Sequence, residues 1–316
     1  MKKKLICALL ACLLLLSMGC AGEKPQTTLR IAALKGPTGM GLAYLMQEES
    51  NAFSVELLDA PDVVTGKFIN GEIDIAAVPV NLAAVLSNKT DGKAIMIAVN
   101  TLGVLYILEN GETVHSMEDL AGKTLYATGQ GSTPQYVLEY LLEQNGLKDQ
   151  VTVEYIAEHA TLAAMAASGE APLAMLPEPN VSSVLLKNES ARIALDLTSE
   201  WDAVSDAQLL QGCYIVQRSV LESEPEAVRA FLSAAAESAA RVNSEAEAPA
   251  LIAELGIVGS EAIAARAIPN CNIVCLTGEQ MQEAAEAMLS VLFAANPKSI
   301  GGQLPDASFY AKLDPQ

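Results

Sequence analysis

Apolar and polar positions alternate along this chain in short blocks. LRIAAL (Leu29 to Leu34) is a compact apolar run of the kind that forms a buried strand. A glycine-rich turn, KGPTGMG, follows it, and GLAYLMQEE then places Leu42, Leu45 and Met46 on one side of a helix. FSVELLD (Phe53 to Asp59) alternates as a second strand, and Asp62 is placed to cap a helix over VVTGKFIN. IDIAAVPV supplies a third strand ending at Pro79, and NLAAVLSN another helix. AIMIAVNTLGVLYIL (Ala94 to Leu108) is too long for one ordinary strand and carries Asn100, Thr101 and Gly103 in its middle. It reads as two strand pieces joined where the chain leaves a first lobe.

The pattern then restarts. SMEDLAG reads as a short helix, KTLYAT as a strand and GQGST as a second glycine-rich turn. The helix TPQYVLEYLLEQNGL has Ser132 or Thr133 to cap it, Pro134 in its first turn and Gly146 to end it. VTVEYIA, the helix HATLAAMAASG and the strand PLAML complete a second series, with RIALDLT as its last strand. GCYIVQ (Gly212 to Gln217) reads as a return crossing, and the remaining chain is helical. Strands that alternate with helices pair in parallel through right-handed crossovers.

An internal echo supports the division. GEIDIAAVPVN (Gly71 to Asn81) and GEAPLAMLPEPN (Gly169 to Asn180) share a Gly-Glu start, an apolar run, a proline at matching distance and a following helix. Where the first copy has Val80, the second has Glu178 and an added Pro179. Two similar α/β lobes are expected, each a mainly parallel sheet flanked by helices. Residues 28–100 and 213–316 would form lobe 1, and 101–212 lobe 2. The C-terminal helices would pack back on lobe 1, with Phe231, Leu232 and Val242 as a core stripe.

Composition changes the picture in two ways. The chain of 316 residues carries 19 basic and 38 acidic side chains, a net charge of −19. Such a surface repels phosphate backbones, so nucleic acid is not an expected partner. Residues 1–19 resemble a signal peptide: Lys2, Lys3 and Lys4 precede the apolar run Leu5 to Leu16, which is too short to span a bilayer. The run ends LSMGC, which resembles a bacterial lipobox with Ser17 where leucine is usual. Cys20 would then be lipidated, and residues 20–27 would be a tether. Beyond the signal and this site stand Cys213, Cys271 and Cys275. CNIVC has no neighbouring histidine or second ligand pair, so no metal site is expected, and core thiols or a disulfide both remain readings.

With these features in place, the chain resembles the substrate-binding lipoproteins of bacterial ABC importers. The branch with nitrate-, sulfonate- and thiamine-precursor-binding members is the one it is most similar to. RIAALKGPTGMGLAYLM, NGEIDIAAVPVN, LPEPN and IPNCNIVCLTGEQM carry the likeness, which covers almost all of residues 28–313. It implies a two-lobed periplasmic-binding-protein-like clamshell of type II, a small-molecule ligand in the cleft, ABC permease subunits as partners and a lipid anchor on the outer face of the cell membrane. It implies a monomer with no cofactor. It also puts the Cys271–Cys275 loop near the cleft rim.

Ligands of open α/β sheets sit at strand C-termini, beside helix N-termini with free N–H donors. The expected contacts are therefore Lys35, Gly36, Thr38, Gly39 and Met40 on one side and Gln130, Gly131, Ser132 and Thr133 on the other. Asn81 and Asn180 close the repeated loops, and Thr101 lies at the crossing. Lys35 would favour an anion, and Glu178 a cation or amide; Glu178 reads equally as a cap on its own helix. His115 and His159 read as surface residues, and no nucleophile or metalloprotease motif accompanies them, so no catalytic residue is expected. Two other readings are an enzyme of related fold (a pyrimidine synthase or a menaquinone-pathway lyase) and an extracellular sensor lobe. The synthase would need a site rich in His and Cys, which this chain lacks.

Overall fold

The computed structural model describes residues 28–48 and 52–313. The signal peptide, Cys20 and the tether lie outside the described residues. In chain order the elements begin with β1 (Leu29–Leu34), α1 (Pro37–Met40), α2 (Ala43–Gln47), β2 (Phe53–Leu58), α3 (Pro61–Ile69), β3 (Ile75–Pro79), α4 (Val80–Lys89) and β4 (Ala94–Leu102). Next come β5 (Leu105–Asn110), β6 (Thr124–Ala127), α5 (Thr133–Gln144), β7 (Thr152–Tyr155), α6 (His159–Ser168), β8 (Leu173–Pro177), α7 (Asn180–Lys187), β9 (Ala191–Asp196) and α8 (Leu197–Asp202). The return consists of β10 (Leu210–Gln217), α9 (Arg218–Ser223), α10 (Pro225–Ser244), α11 (Ala248–Glu254), α12 (Glu261–Ala267), β11 (Ile273–Leu276) and α13 (Gly278–Ala295).

The strands form two sheets, ordered β11-β4-β10-β3-β1-β2 and β7-β6-β8-β5-β9. In each, a central strand pairs in parallel with two neighbours: β1 with β2 and β3, β6 with β7 and β8. The crossing strands then add antiparallel pairs, β10 beside β3 and β5 beside β8. The two sheets therefore superimpose in order, with β3 and β8 as counterparts, and these are the strands of the sequence echo. Gly71 and Gly169 start the echo in left-handed backbone, at φ 70° and 84°. Glycine takes that conformation without the Cβ clash that other residues meet.

The long apolar run does split, into β4 and β5, with Gly103 and Val104 between them. The first sheet runs to Leu102 and resumes at Leu210, a little beyond the lobe 1 boundaries drawn from the sequence. One local expectation needs correcting: α3 is preceded by Ala60 rather than capped by Asp62, because Pro61 occupies its first position and Asp62 falls within the first turn.

Packing follows the apolar stripes. Phe231, Leu232 and Val242 of α10 are buried, and the Phe231 ring meets Tyr214 and Phe53 edge-on at 5.2 and 6.1 Å. Fully burying one such side chain is worth about 1.5–3 kcal/mol. Ser238 of the same helix accepts from the backbone N–H groups of Tyr44 and Leu45 at 3.1 and 3.3 Å. Helix α2 has no side-chain cap of its own, so α10 satisfies its first donors. Cys213, Cys271 and Cys275 are free thiols, and the disulfide reading of CNIVC is not realised in this structure.

In lobe 2, Glu109 of β5 is buried beside Arg192 of β9, at 2.5 Å. It also accepts from the Thr113 hydroxyl and from the Thr113 and Val114 backbones. Burial alone would raise its pKa, but these hydrogen bonds and the guanidinium outweigh it and hold the carboxyl below its ordinary value of 4.5. The folded state thus binds this proton more weakly than the unfolded chain. Ionised Glu109 contributes stability above pH of about 4.5, and that contribution disappears as pH falls through the folded pKa. Glu109→Gln is accordingly expected to flatten the acid limb of a plot of Tm against pH below about 4.5. An acid limb as steep as that of the parent would contradict this account.

Candidate functional site

The strand-to-helix loops of both lobes converge on a cleft of about 120 Å³. Its floor is the crossing: Thr101, Val104, Gln211 and Gly212. Lobe 1 supplies Leu34, Lys35, Gly36, Pro37, Thr38, Pro61 and Pro79. Lobe 2 supplies Ser132, Pro134, His159, Pro177, Glu178, Pro179 and Asn180. Pro37, Pro61 and Pro134 stand in the first turns of their helices, where a fixed φ is suited and a missing N–H costs nothing, while Pro79 and Pro177 end their strands and Pro179 precedes α7. The outcome is a stiff wall with apolar rings and few donors.

Of the residues singled out in the sequence, Lys35, Gly36, Thr38, Thr101, Ser132, Glu178 and Asn180 line the cleft. Gly39 and Met40 do not. Gly39 lies against its own strand, where an added Cβ would stand 2.8 Å from the Leu34 carbonyl. Met40 is wholly buried in a core cluster with Tyr44, Ile252 and Cys271. Turn α1 winds immediately after β1, so its last residues point inward. Gln130 is exposed, and the Gly131 N–H donates to Gln135 at 2.6 Å, so this turn closes on its own helix.

Asn81 and Thr133 lie off the cleft wall and join the lobes. The Thr133 hydroxyl donates to Asn81 Oδ1 at 3.1 Å, while Asn81 Nδ2 donates to the Ser299 carbonyl at 3.0 Å. Both residues are fully buried. Tyr106 of lobe 2 likewise donates to the Asn270 carbonyl of lobe 1 at 3.4 Å. These contacts exist only while the lobes are together. A hydrogen bond of this kind contributes about 0.5–1.5 kcal/mol, so Thr133→Val is expected to shift the open-to-closed balance roughly two- to tenfold toward open. Small-angle scattering from the ligand-free variant should show a larger radius of gyration, and an unchanged radius would refute the latch.

The charges of the cleft are largely spoken for. Lys35 Nζ lies 2.9 Å from Asp59, and both groups are open to solvent. Glu178 is almost wholly buried, and its carboxylate accepts from the Ser182 N–H at 3.0 Å and the Ser182 hydroxyl at 2.9 Å. Burial raises its pKa and Ser182 opposes that rise. Glu178 thus caps α7, as one sequence reading had it, and it also lines the cleft. The Glu178–Pro179 peptide is cis. Thr101 donates to Asn100 at 2.9 Å, within β4.

His159 is exposed, as the sequence reading had it, and it also lines the cleft. The cleft walls crowd its imidazole, and that desolvation pushes its pKa down to about 4. The imidazole is therefore neutral at pH 7. Its Nδ1 lies 2.7 Å from the Thr128 hydroxyl. The rule that ligand-side residues follow strand C-termini, applied to β1 and β6, would have found His159 had it been carried to β7. Gln211 had no comparable signal, since it becomes cleft floor only when β10 returns beside β4. Among the described residues, no group of His, Cys, Asp and Glu could hold a metal ion.

Two α/β lobes, two crossings and a cleft at the strand C-termini define a periplasmic-binding-protein-like fold. A family model described as NMT1/THI5 like matches residues 92–247. A crystal structure of an ABC transporter protein from Parabacteroides distasonis is 25% identical, with a TM-score of 0.77 over 91% of this chain and 100% of that one. The periplasmic aliphatic sulphonate binding protein of Escherichia coli is 19% identical, with a TM-score of 0.71 over 93% and 95%. The alkanesulfonate-binding protein of Xanthomonas axonopodis pv. citri, bound to MOPS, is 17% identical, with a TM-score of 0.68 over 87% and 94%. No curated protein is significantly similar in sequence. The family match and these folds agree with the resemblance drawn from the sequence motifs.

Proposed function

We propose that this protein is the solute-binding component of an ABC importer, which captures a small organic molecule between its lobes and delivers it to a permease. The observation that carries this reading is the cleft itself: a partly apolar space at the strand C-termini of both lobes, floored by the crossings, in the fold of known solute receptors. Contacts from both lobes to one ligand would favour the closed form, the form a permease would engage. Lys35, Gly36, Thr38, Thr101, Ser132, Glu178 and Asn180 are the proposed ligand contacts from the sequence, with His159 and Gln211 added from the geometry.

The reading is of binding rather than reaction. The similar structures named as binding proteins favour it over a biosynthetic enzyme. The signal-like residues 1–19 and the LSMGC sequence at Cys20 support an extracytoplasmic protein anchored by lipid, and no helix among the described residues is long and apolar enough to cross a membrane. A thermal-shift screen of a metabolite library tests the function: at least one compound should raise the melting point in a saturable way, and a library without such a compound would refute it. Radiolabelled palmitate should label the parent protein and not Cys20→Ala; labelling of the variant would refute the anchor.

A further inference from the structure

The cleft carries information about the charge of what it binds. An anionic ligand needs uncompensated positive charge or free N–H donors. Lys35 is the one permanent cation among the described residues that line the cleft, and it is already paired with Asp59. The N-terminus of α7 would be the natural anion seat on the lobe 2 wall. That seat is filled by the chain's own Glu178, which receives the Ser182 N–H and hydroxyl. The Gly131 N–H before α5 is taken by Gln135. His159 is held neutral by its surroundings, and Pro37, Pro61, Pro79, Pro134, Pro177 and Pro179 have no N–H to offer. The lobe 2 wall thus places its own carboxylate at the helix start, and the one lining cation is already paired.

An acceptor is left over. Gln211 lines the floor, and its Oε1 is buried without a hydrogen-bond partner. A buried acceptor of this sort is costly until something donates to it. The geometry points to a neutral or singly cationic small molecule bearing N–H groups as the ligand, with one N–H received by Gln211 Oε1 and the charge of Glu178 favouring it over an anion of the same shape. This inference rests on the solute-receptor reading and narrows it. It also separates the protein from two of its structural neighbours, which are named for binding sulfonates.

The test is a thermal-shift and calorimetric screen of the purified protein. The library is split into anions and into neutral or cationic N–H donors, and includes matched pairs such as nicotinamide against nicotinate and butylamine against butanesulfonate. The expected result is stabilisation by members of the second set only, with anionic counterparts at least tenfold weaker. Preferential binding of sulfonates, carboxylates or nitrate would overturn the inference while leaving the receptor function intact. No shift from either set would remove the receptor reading, and the inference with it. For the best binder, Gln211→Leu should weaken affinity about tenfold, whereas Gln211→Glu, which keeps an acceptor, should retain binding. Unchanged affinity in Gln211→Leu, or loss of binding in Gln211→Glu with an unchanged melting point, would overturn the role of Gln211. Should Gln211→Leu fail to fold, the glutamate variant decides the matter.

Discussion

Trp201→Ala is expected to cost about 3–5 kcal/mol, the range for removing a large aromatic side chain from a core. Trp201 is the one tryptophan of the chain and has no solvent exposure. Its ring lies 4.9 Å from that of Tyr140 on α5, and its Nε1 donates to the Ala207 carbonyl at 2.5 Å. It thereby ties α8 to lobe 2 and fixes the path of the second crossing toward β10. Truncation leaves a cavity and frees a buried carbonyl together, which is why the upper part of the range is reachable. For a protein of this size the shift in Tm should be on the order of 10 °C downward. A loss below about 1 kcal/mol in denaturant titration would show that the crossing is held by other contacts. Because the crossing also forms the cleft floor, the milder Trp201→Phe should retain ligand binding while losing part of the stability.

Gly36→Val is expected to abolish tight ligand binding. Gly36 adopts φ 101° and ψ −152°, a region essentially confined to glycine. A side chain there costs about 1–3 kcal/mol in backbone strain alone. The site adds a second penalty: an added Cβ would stand 3.6 Å from Cδ of Pro179, on the opposite wall. A Cβ is ordinary contact at that distance, but the methyl groups of valine have no room once the lobes close. Gly36→Ala should therefore show mainly the strain, and Gly36→Val the strain plus blocked closure. Calorimetry with an identified ligand should show roughly tenfold weaker binding for alanine and roughly a hundredfold for valine. Equal affinities for the two variants would mean that Pro179 does not approach Gly36 in the bound form.

Much of the architecture is visible in one dimension because it depends on local rules. Apolar runs of strand length, glycine-rich turns and helix-start prolines alternate in sequence, so the two series of strands and helices can be counted before any contact is known. The echo of Gly71 to Asn81 in Gly169 to Asn180 marks β3 and β8, which occupy equivalent places in the two sheets. Cleft residues that follow strand ends, such as Lys35, Thr38, Ser132 and Glu178, come from the same rule. The rule misassigns Met40 and Thr133, because a residue one turn into a helix can face the core or the neighbouring lobe as readily as the cleft. Periodicity alone does not say which.

The sequence by itself determined the repeated α/β design, the two crossings and the loops that approach the ligand, since each is written in local periodicity, turn chemistry and an internal repeat. Only the tertiary structure decided how the charges of those loops are spent. Lys35 meets Asp59 because β1 and β2 pair in parallel and end side by side, and Thr133 meets Asn81 because the two lobes come together. Gln211 becomes an unpaired acceptor on the cleft floor only when β10 returns beside β4. Hydrogen bonds and ion pairs are short-ranged. Their partners are set by proximity in space, which no local pattern of the chain records.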